Sequence, residues 1–214
     1  YEKKWYKDGK LHQDEIDTET GLILPSIITS DQKEWDISGK KHRNDIDPDT
    51  GFTLPSIVYR DGLKYWHKDG GKHCDDIDPE TGLTHFAESF NKKEKWFKDG
   101  KEHRVDIDIE TGFTLPSIIL KSKKKWCKDG KIHRDDFDPE TNKTLPAIIF
   151  ENIKKEWWIN GKLHRYDKDQ YSGLTLPSII FDDGTKYWYK YGKWHRDDID
   201  NETGYTLPAI IFEN

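Results

Sequence analysis

A tryptophan followed seven residues later by a histidine recurs along the whole chain, and this repeat limits the fold more than any other feature. The pairs are Trp5/His12, Trp35/His42, Trp66/His73, Trp96/His103, Trp126/His133, Trp157/His164 and Trp188/His195. Successive tryptophans are 30 or 31 residues apart. A fixed period of this length is the signature of a repeat protein, in which each unit packs mainly against its neighbours.

We therefore predict a single repeat domain over residues 1–214. Its seven repeats lie near residues 1–30, 31–61, 62–92, 93–122, 123–153, 154–184 and 185–214. Hydrophobic residues make up only 33% of the chain and charged residues 36%, a composition that in a chain without repeats would indicate disorder. Here the aromatic residues recur at fixed positions, so stacking of the repeats is expected to build the core.

The segment between each tryptophan and its histidine predicts a β-hairpin. In the first repeat, Asp8 and Gly9 form the two-residue loop, because such a turn needs positive φ at both positions. Tyr6 then pairs with Leu11, and the tryptophan of each repeat packs against its histidine as a structural pair. The same register sets a lysine opposite an aspartate in four repeats: Lys3 and Asp14, Lys64 and Asp75, Lys124 and Asp135, Lys186 and Asp197.

The other face of the hairpin carries residues that change from repeat to repeat, and we predict that it faces solvent. These positions include Asp36, Lys41, Glu102, Cys127, Trp158, Tyr189 and Trp194. Aromatic side chains on such a face can stack on a sugar or anchor a protein partner, so Trp158, Tyr189 and Trp194 are candidate binding residues. The alternative is that this face is buried against a neighbouring repeat.

Each repeat continues through a second turn into a short strand, as in Asp138–Asn142 followed by Leu145-Pro146 and Ala147–Phe150. Two adjacent isoleucines predict a strand buried on both faces. Each repeat thus reads as four short antiparallel strands, and the fold class is all-β. The chain starts on a tryptophan strand and stops on an isoleucine strand, which predicts a closed seven-bladed β-propeller; an open β-solenoid is the alternative.

Several function classes find no support in the sequence. The net charge is −6 with interspersed signs, which predicts no nucleic-acid surface, and apolar runs are too short for a membrane span. Serines in the Pro-Ser segments alternate with alanine, so no nucleophile recurs, and we predict no enzyme, metal or cofactor. The acidic turns resemble calcium loops only superficially. Cys74 and Cys127 occupy non-equivalent positions and are predicted to be free thiols.

The third repeat departs most from the others. It carries Cys74 where most repeats have arginine, and His85–Phe90 where Leu-Pro-Ser-Ile-Ile-Phe recurs elsewhere. We predict a lateral contact or binding site there, with His85, Phe86 and Phe90 as candidate residues. The chain begins at a tyrosine and contains no methionine, so we expect it to be an excerpt or a processed product.

The run W-x-x-x-G-K-x-H-R-D-D followed by L-P-A-I-I resembles a tandem repeat of predicted proteins from large DNA viruses and some bacteria, called MORN-like. The matching residues of the last repeat are Trp188, Gly192, Lys193, His195, Arg196, Asp197, Leu207, Pro208 and Ala209. This chain adds a turn, Asn201–Gly204, before the leucine and proline. The resemblance implies a non-enzymatic role, and it makes a MORN-like meander a further alternative for the fold.

We expect a structural or scaffold protein that mediates protein–protein contacts or self-assembly. If the viral resemblance holds, it would be a virion, filament or extracellular component; otherwise we expect a cytoplasmic protein. A lectin-like module that binds glycans through its exposed aromatic residues is the alternative. The variable positions favour the scaffold, because a lectin built from repeats would be expected to repeat its site.

Overall fold

The structure is a computed structural model that describes residues 1–213, and those residues form strands and turns with no helix. The predicted all-β class is confirmed. The chain divides into two compact units, Tyr1–Glu102 and His103–Asn214. The single repeat domain over residues 1–214 stays a prediction.

The first unit contains fifteen short strands. They are β1 (Glu2–Lys4), β2 (Tyr6–Lys7), β3 (Lys10–Leu11), β4 (Ile27–Thr29), β5 (Gln32–Glu34), β6 (Asp36–Ile37), β7 (Lys40–Lys41), β8 (Ile57–Tyr59), β9 (Lys64–Tyr65), β10 (His67–Lys68), β11 (Gly71–Lys72), β12 (Glu88–Phe90), β13 (Lys93–Lys95), β14 (Phe97–Lys98) and β15 (Lys101–Glu102).

The second unit contains thirteen strands. They are β16 (Ile118–Leu120), β17 (Lys123–Lys125), β18 (Cys127–Lys128), β19 (Lys131–Ile132), β20 (Ile148–Phe150), β21 (Lys154–Glu156), β22 (Trp158–Ile159), β23 (Lys162–Leu163), β24 (Ile179–Phe181), β25 (Lys186–Tyr187), β26 (Tyr189–Lys190), β27 (Lys193–Trp194) and β28 (Ile210–Ile211).

Each unit is organised around one antiparallel sheet to which every repeat contributes. In the first unit its order is β1-β4-β5-β8-β9-β12-β13, and in the second it is β16-β17-β20-β21-β24-β25-β28. The remaining strands form two-stranded hairpins, such as β2-β3 and β18-β19. Successive repeats thus share one meandering sheet within each unit, as in a solenoid, where a propeller would divide its strands into separate blades.

The hairpins form at the predicted place and in the predicted register. Tyr6 pairs with Leu11 and Lys7 with Lys10. Asp8 has a φ of 51° and Gly9 a φ of 72°, the left-handed pair that a tight mirror-image turn requires. The second turn of each repeat closes only a single bridge, for example between Phe137 and Thr144.

The predicted pairing of Lys3 with Asp14 is wrong, because the chain bends at the tryptophan and leaves the hairpin. The Trp5 N–H donates to the carbonyl of Ser26, and Lys3 pairs with Ile28 in the large sheet. The aspartate binds a lysine within the hairpin instead. These ion pairs are Lys7–Asp14, Lys68–Asp75, Lys128–Asp135 and Lys190–Asp197, whereas Lys64, Lys124 and Lys186 lie in the large sheet.

The core lies on one side of each large sheet. The first isoleucine of the segment after proline is half-buried at Ile210 and buried in five other repeats, at Ile27, Ile57, Ile118, Ile148 and Ile179. The second isoleucine was predicted to be buried as well, and this is wrong. Ile28, Ile119 and Ile180 are half-buried on the opposite face of the sheet, because each of them lies beside an exposed lysine of the neighbouring strand there.

Candidate functional site

The recurring tryptophans join each repeat to the one before it. Those after the first repeat are almost fully buried, while Trp5 is half-buried. Each buried indole donates its Nε1 hydrogen to a backbone carbonyl of the preceding repeat at 2.7–2.9 Å. The donor and acceptor pairs are Trp35–Ile23, Trp66–Thr53, Trp96–Thr84, Trp126–Thr114, Trp157–Thr144 and Trp188–Thr175.

The histidines contact the following repeat, whereas the tryptophans contact the preceding one. In repeat five, His133 Nδ1 accepts the backbone N–H of Asn160 in the next repeat at 3.2 Å. That donor leaves the proton of a neutral imidazole on Nε2, which lies 2.6 Å from an oxygen of Asp135. Nδ1 of the other internal histidines makes the same contact: His12 with Ser38, His42 with Asp69, His73 with Asp99, His103 with Asp129 and His164 with Tyr191.

An arginine and a second aspartate complete this connection, and the sequence reasoning missed both. The Arg165 guanidinium lies 3.9 Å above the Trp157 ring, and its Nε donates to Asp167 at 2.7 Å. Asp167 also accepts the N–H and hydroxyl of Thr144 in the preceding repeat. Burial lowers the pKa of Arg165, and the paired carboxylate of Asp167 opposes that shift. The His-Arg-Asp-Asp run was the available signal, because the arginine follows the histidine in five of the seven repeats and the second aspartate recurs in six.

The face that varies between repeats is not uniformly exposed, so that prediction is wrong. Asp36 and Cys127 are each only 3% exposed. In repeats two, three and seven the residue after the tryptophan hydrogen-bonds with the serine of the preceding Pro-Ser segment, as shown by the 2.7 Å bond from Ser26 Oγ to Asp36. Its environment is set by the neighbouring repeat, which the register of a single hairpin does not include.

The three aromatic candidates differ in accessibility. Trp194 is 64% exposed, and its Nε1 donates to the hydroxyl of Tyr189, which is half-buried. Trp158 is half-buried and donates to Glu156 at 2.8 Å. The structure therefore joins Tyr189 and Trp194 in one hairpin and places Trp158 in the hairpin before it.

A cavity of about 240 Å³ lies beside Trp158 in the second unit. Its aromatic walls are Phe137, Trp157, Trp158 and Tyr166. His164, at its border, is buried between two tyrosines: it stacks on Tyr191 at 4.4 Å and meets Tyr166 edge-on. The flat walls suit a ring-shaped ligand with an apolar face.

The irregular segment of repeat three packs largely against its own unit. His85 stacks on Phe52 at 4.7 Å, and Phe86 meets the Trp66 ring edge-on at 5.5 Å. Phe90 is half-buried and pairs with Lys93 across the sheet. Cys74 stands in the position of the arginines, so His85 and Phe86 occupy ring faces that an arginine covers in repeat five, where Arg134 lies over Phe113 and Trp126.

An acidic residue in the same segment is neutralised internally. Glu88 replaces the buried isoleucine and binds Lys72 at 2.6 Å and Lys95 at 2.5 Å. Lys72 also lies 4.1 Å from the Tyr65 ring centre. The lost isoleucine is therefore replaced by a partly buried ion-pair cluster.

Both cysteines are free thiols, as predicted, and burial raises the pKa of the Cys74 thiol to about 12. Among residues 1–213, no helix has the length and apolarity needed to cross a bilayer. Comparison with protein-family models, with curated proteins and with solved structures found no match to this chain.

Proposed function

We propose that this chain is a non-enzymatic structural repeat protein that mediates protein–protein contacts. This proposal rests on the observation that the recurring polar side chains bind neighbouring repeats. Trp157 Nε1, Asp167 and His133 Nδ1 each bind a neighbouring repeat, and their equivalents do the same. The repeated chemistry is thus devoted to assembling the array, and the residues that differ between repeats remain for recognition.

Repeat three is the proposed first contact region. Its segment from His85 to Phe90 departs from the repeat and keeps His85, Phe86 and Phe90 half-exposed. The test replaces residues 85–90 by Leu-Pro-Ser-Ile-Ile-Phe, together with Cys74→Arg to restore the regular packing. A protein that cross-links to the native chain in its source and is lost with this variant would support the contact. Retention of the same partner would contradict it.

A virion or filament component is the specific form of the proposal that the MORN-like resemblance supports. A coat or filament protein would then be the cross-linked partner. Fractionation of the native source should place the chain in the particle or filament fraction. Recovery only as a free chain in the cytoplasmic fraction would contradict a virion or filament role. The general scaffold role would then depend on the cross-linking test alone.

Glycan binding is the second candidate, and the aromatic cavity beside Trp158 favours it. A glycan array run with the purified chain should detect selective binding that Trp158→Ala or Trp194→Ala abolishes. Tyr6→Ala is a matched control, because Tyr6 occupies the position of Trp158 in the first repeat and is exposed. Selective binding with this pattern would replace the scaffold proposal by a lectin-like one.

Closure into a seven-bladed propeller stays a prediction. The single meandering sheet within each unit supports the open alternative. Small-angle scattering separates the two, because a closed ring gives the distance distribution of a disc and an open array that of a rod.

A further inference from the structure

The outer face of each large sheet carries a row of lysines. In the first unit, Lys33 lies opposite Ile28 on one side and Val58 on the other. In the second unit, Lys155 lies between Ile149 and Ile180 in the same way. Lysine and aliphatic side chains thus alternate across the strands. Because the lysines are two strands apart, they are spaced by about 9.6 Å.

These lysines are available to an outside partner. Lys33, Lys64, Lys124 and Lys155 are exposed, and among residues 1–213 none of the four has a carboxylate within ion-pair distance. The aliphatic residues between them are half-buried. A sheet face with unpaired cations and accessible aliphatic groups is complementary to a surface that carries carboxylates and apolar side chains at the same interval.

The second turns of the repeats carry such a surface. One exposed carboxylate recurs seven residues after the histidine: Glu19, Asp49, Glu80, Glu110, Glu140 and Glu202. Within residues 1–213 none of these six carboxylates forms an ion pair. Three residues before each carboxylate is an apolar side chain that is 47–61% exposed: Ile16, Ile46, Ile77, Ile107, Phe137 and Ile199.

We propose that the turns of one copy of this chain dock on the lysine row of a second copy. Each carboxylate would meet a lysine, and each exposed isoleucine would cover the aliphatic residues between lysines. Both rows advance by one position per repeat of the same array, so the repeat itself sets both intervals. The contact joins two different surfaces and is therefore heterologous, which extends into open arrays.

Substitutions in individual repeats locate the contact. Repeat six carries Lys168 and Tyr171 at the apolar and acidic turn positions, and repeat four carries Glu94 at the lysine position. Repeats one to three keep both rows, with Lys3, Lys33 and Lys64 facing Glu19, Asp49 and Glu80 of another copy. This inference rests on the proposed scaffold function and names a second copy of the chain as the partner.

Charge reversal tests the docking on the full chain. One variant carries Lys33→Glu and Lys64→Glu, and the other carries Asp49→Lys and Glu80→Lys. In sedimentation velocity at low salt, the native chain should show a sedimentation coefficient that rises with concentration, and salt at about 1 M should abolish the rise. Each variant alone should stay monomeric, because its two rows then carry the same charge. An equimolar mixture should associate again, because each row of one variant complements a row of the other.

A matched control separates docking from net charge. Lys10→Glu with Lys40→Glu makes the same charge change at exposed lysines of the hairpin turns, and this variant should associate like the native chain. A second test needs no variant. Carbodiimide treatment of native chain should link lysines of the row to turn carboxylates, and a mixture of isotopically labelled and unlabelled chain identifies the links between copies.

Three outcomes would overturn the proposal: a native chain that is monomeric at every concentration, equal loss of association in the control variant, or no recovery in the mixture. A monomeric native chain that still cross-links to another protein in its source would contradict self-docking but not the scaffold function. A monomeric chain that binds an acidic polysaccharide or anionic vesicles through Lys33 and Lys64 would assign the lysine row to that ligand.

Discussion

The indole nitrogen of a buried tryptophan gives this side chain a polar role in addition to its apolar packing. Trp126 is 6% exposed, donates its Nε1 hydrogen to Thr114 at 2.7 Å and lies 4.0 Å below the Arg134 guanidinium. Its removal would leave a cavity, an unpaired carbonyl and a buried cation without its aromatic partner. The same side chain therefore provides both the buried apolar surface and the link to the preceding repeat.

The first prediction compares two tryptophans. Trp126→Ala should lower the free energy of unfolding by about 3–5 kcal/mol, the usual cost of truncating a buried aromatic residue. Trp194→Ala should change it by no more than about 0.5 kcal/mol, because that ring is 64% exposed. Urea denaturation followed by circular dichroism measures both. Similar losses at the two positions would contradict the burial described here.

A second prediction concerns the exchanged residues of repeat three. Cys74→Arg alone should destabilise the chain, because His85 and Phe86 already contact Phe52 and Trp66, the rings that a guanidinium would need. Adding His85→Leu and Phe86→Pro restores the side chains of regular repeats and should recover the loss. We expect a coupling energy of about 0.5–3 kcal/mol between these changes in a mutant cycle by urea denaturation. Additive effects would show that the residues act independently.

At the scale of elements, the turns could be predicted from sequence and the path of the strands could not. The Asp8-Gly9 turn and the pairing of Tyr6 with Leu11 depend on local backbone preferences, which neighbouring residues determine. The bend at Trp5 depends on its hydrogen bond to Ser26, which lies outside the hairpin. Extending the register through this bend produced the wrong partner for Lys3.

The candidate sites divide in the same way. Tryptophan and histidine stood out by their spacing. The role of Asp167 becomes visible only when Thr144 of the preceding repeat is in place, and the role of Arg165 only when its contact with the Trp157 ring is known. The burial of Asp36 likewise involves the preceding repeat, through its hydrogen bond with Ser26. Periodicity identifies which residues matter, but the contacts between repeats decide which face each residue occupies.

A third prediction follows from His67, which lies after its tryptophan beside Ser56 of the preceding repeat. Burial lowers its pKa to about 4, with help from the charges of Lys41 and Lys72 and against that of Asp36. The unfolded chain therefore binds a proton at this position below about pH 6.5, whereas the folded chain does so only below about pH 4. Stability from this group is full above pH 6.5 and is lost as the pH falls towards 4.

Thermal melts test this prediction, because His67→Phe should remove the loss of stability that protonation of His67 causes. Phe97 occupies the equivalent position in repeat four, so the substitution suits the fold. Between pH 6.5 and 4, the melting temperature of the native chain should fall more steeply than that of the variant. Parallel curves would show that His67 does not contribute.

At the scale of the whole molecule, stability should be a sum of repeats and of contacts between neighbouring repeats. The bonds from Trp157 and Asp167 reach only to Thr144 in the preceding repeat, and the bond from His133 reaches only to the next one. The interfaces between regular repeats use the same groups, so one regular repeat can be exchanged for another.

The last prediction removes one repeat. Deleting residues 126–156 joins Lys125 to Trp157, so that Trp157 and Asp167 can bind Thr114 in place of Thr144. An open array should tolerate this loss, with an unchanged circular dichroism signal per residue and a cooperative melt at lower temperature. Deleting residues 126–140 is the control; it removes half a period, leaves the donors without acceptors and should abolish the aromatic signal. A closed ring of seven blades has no such freedom, because losing one blade breaks its closure. Unfolding of the in-phase deletion would therefore favour the ring over the open array.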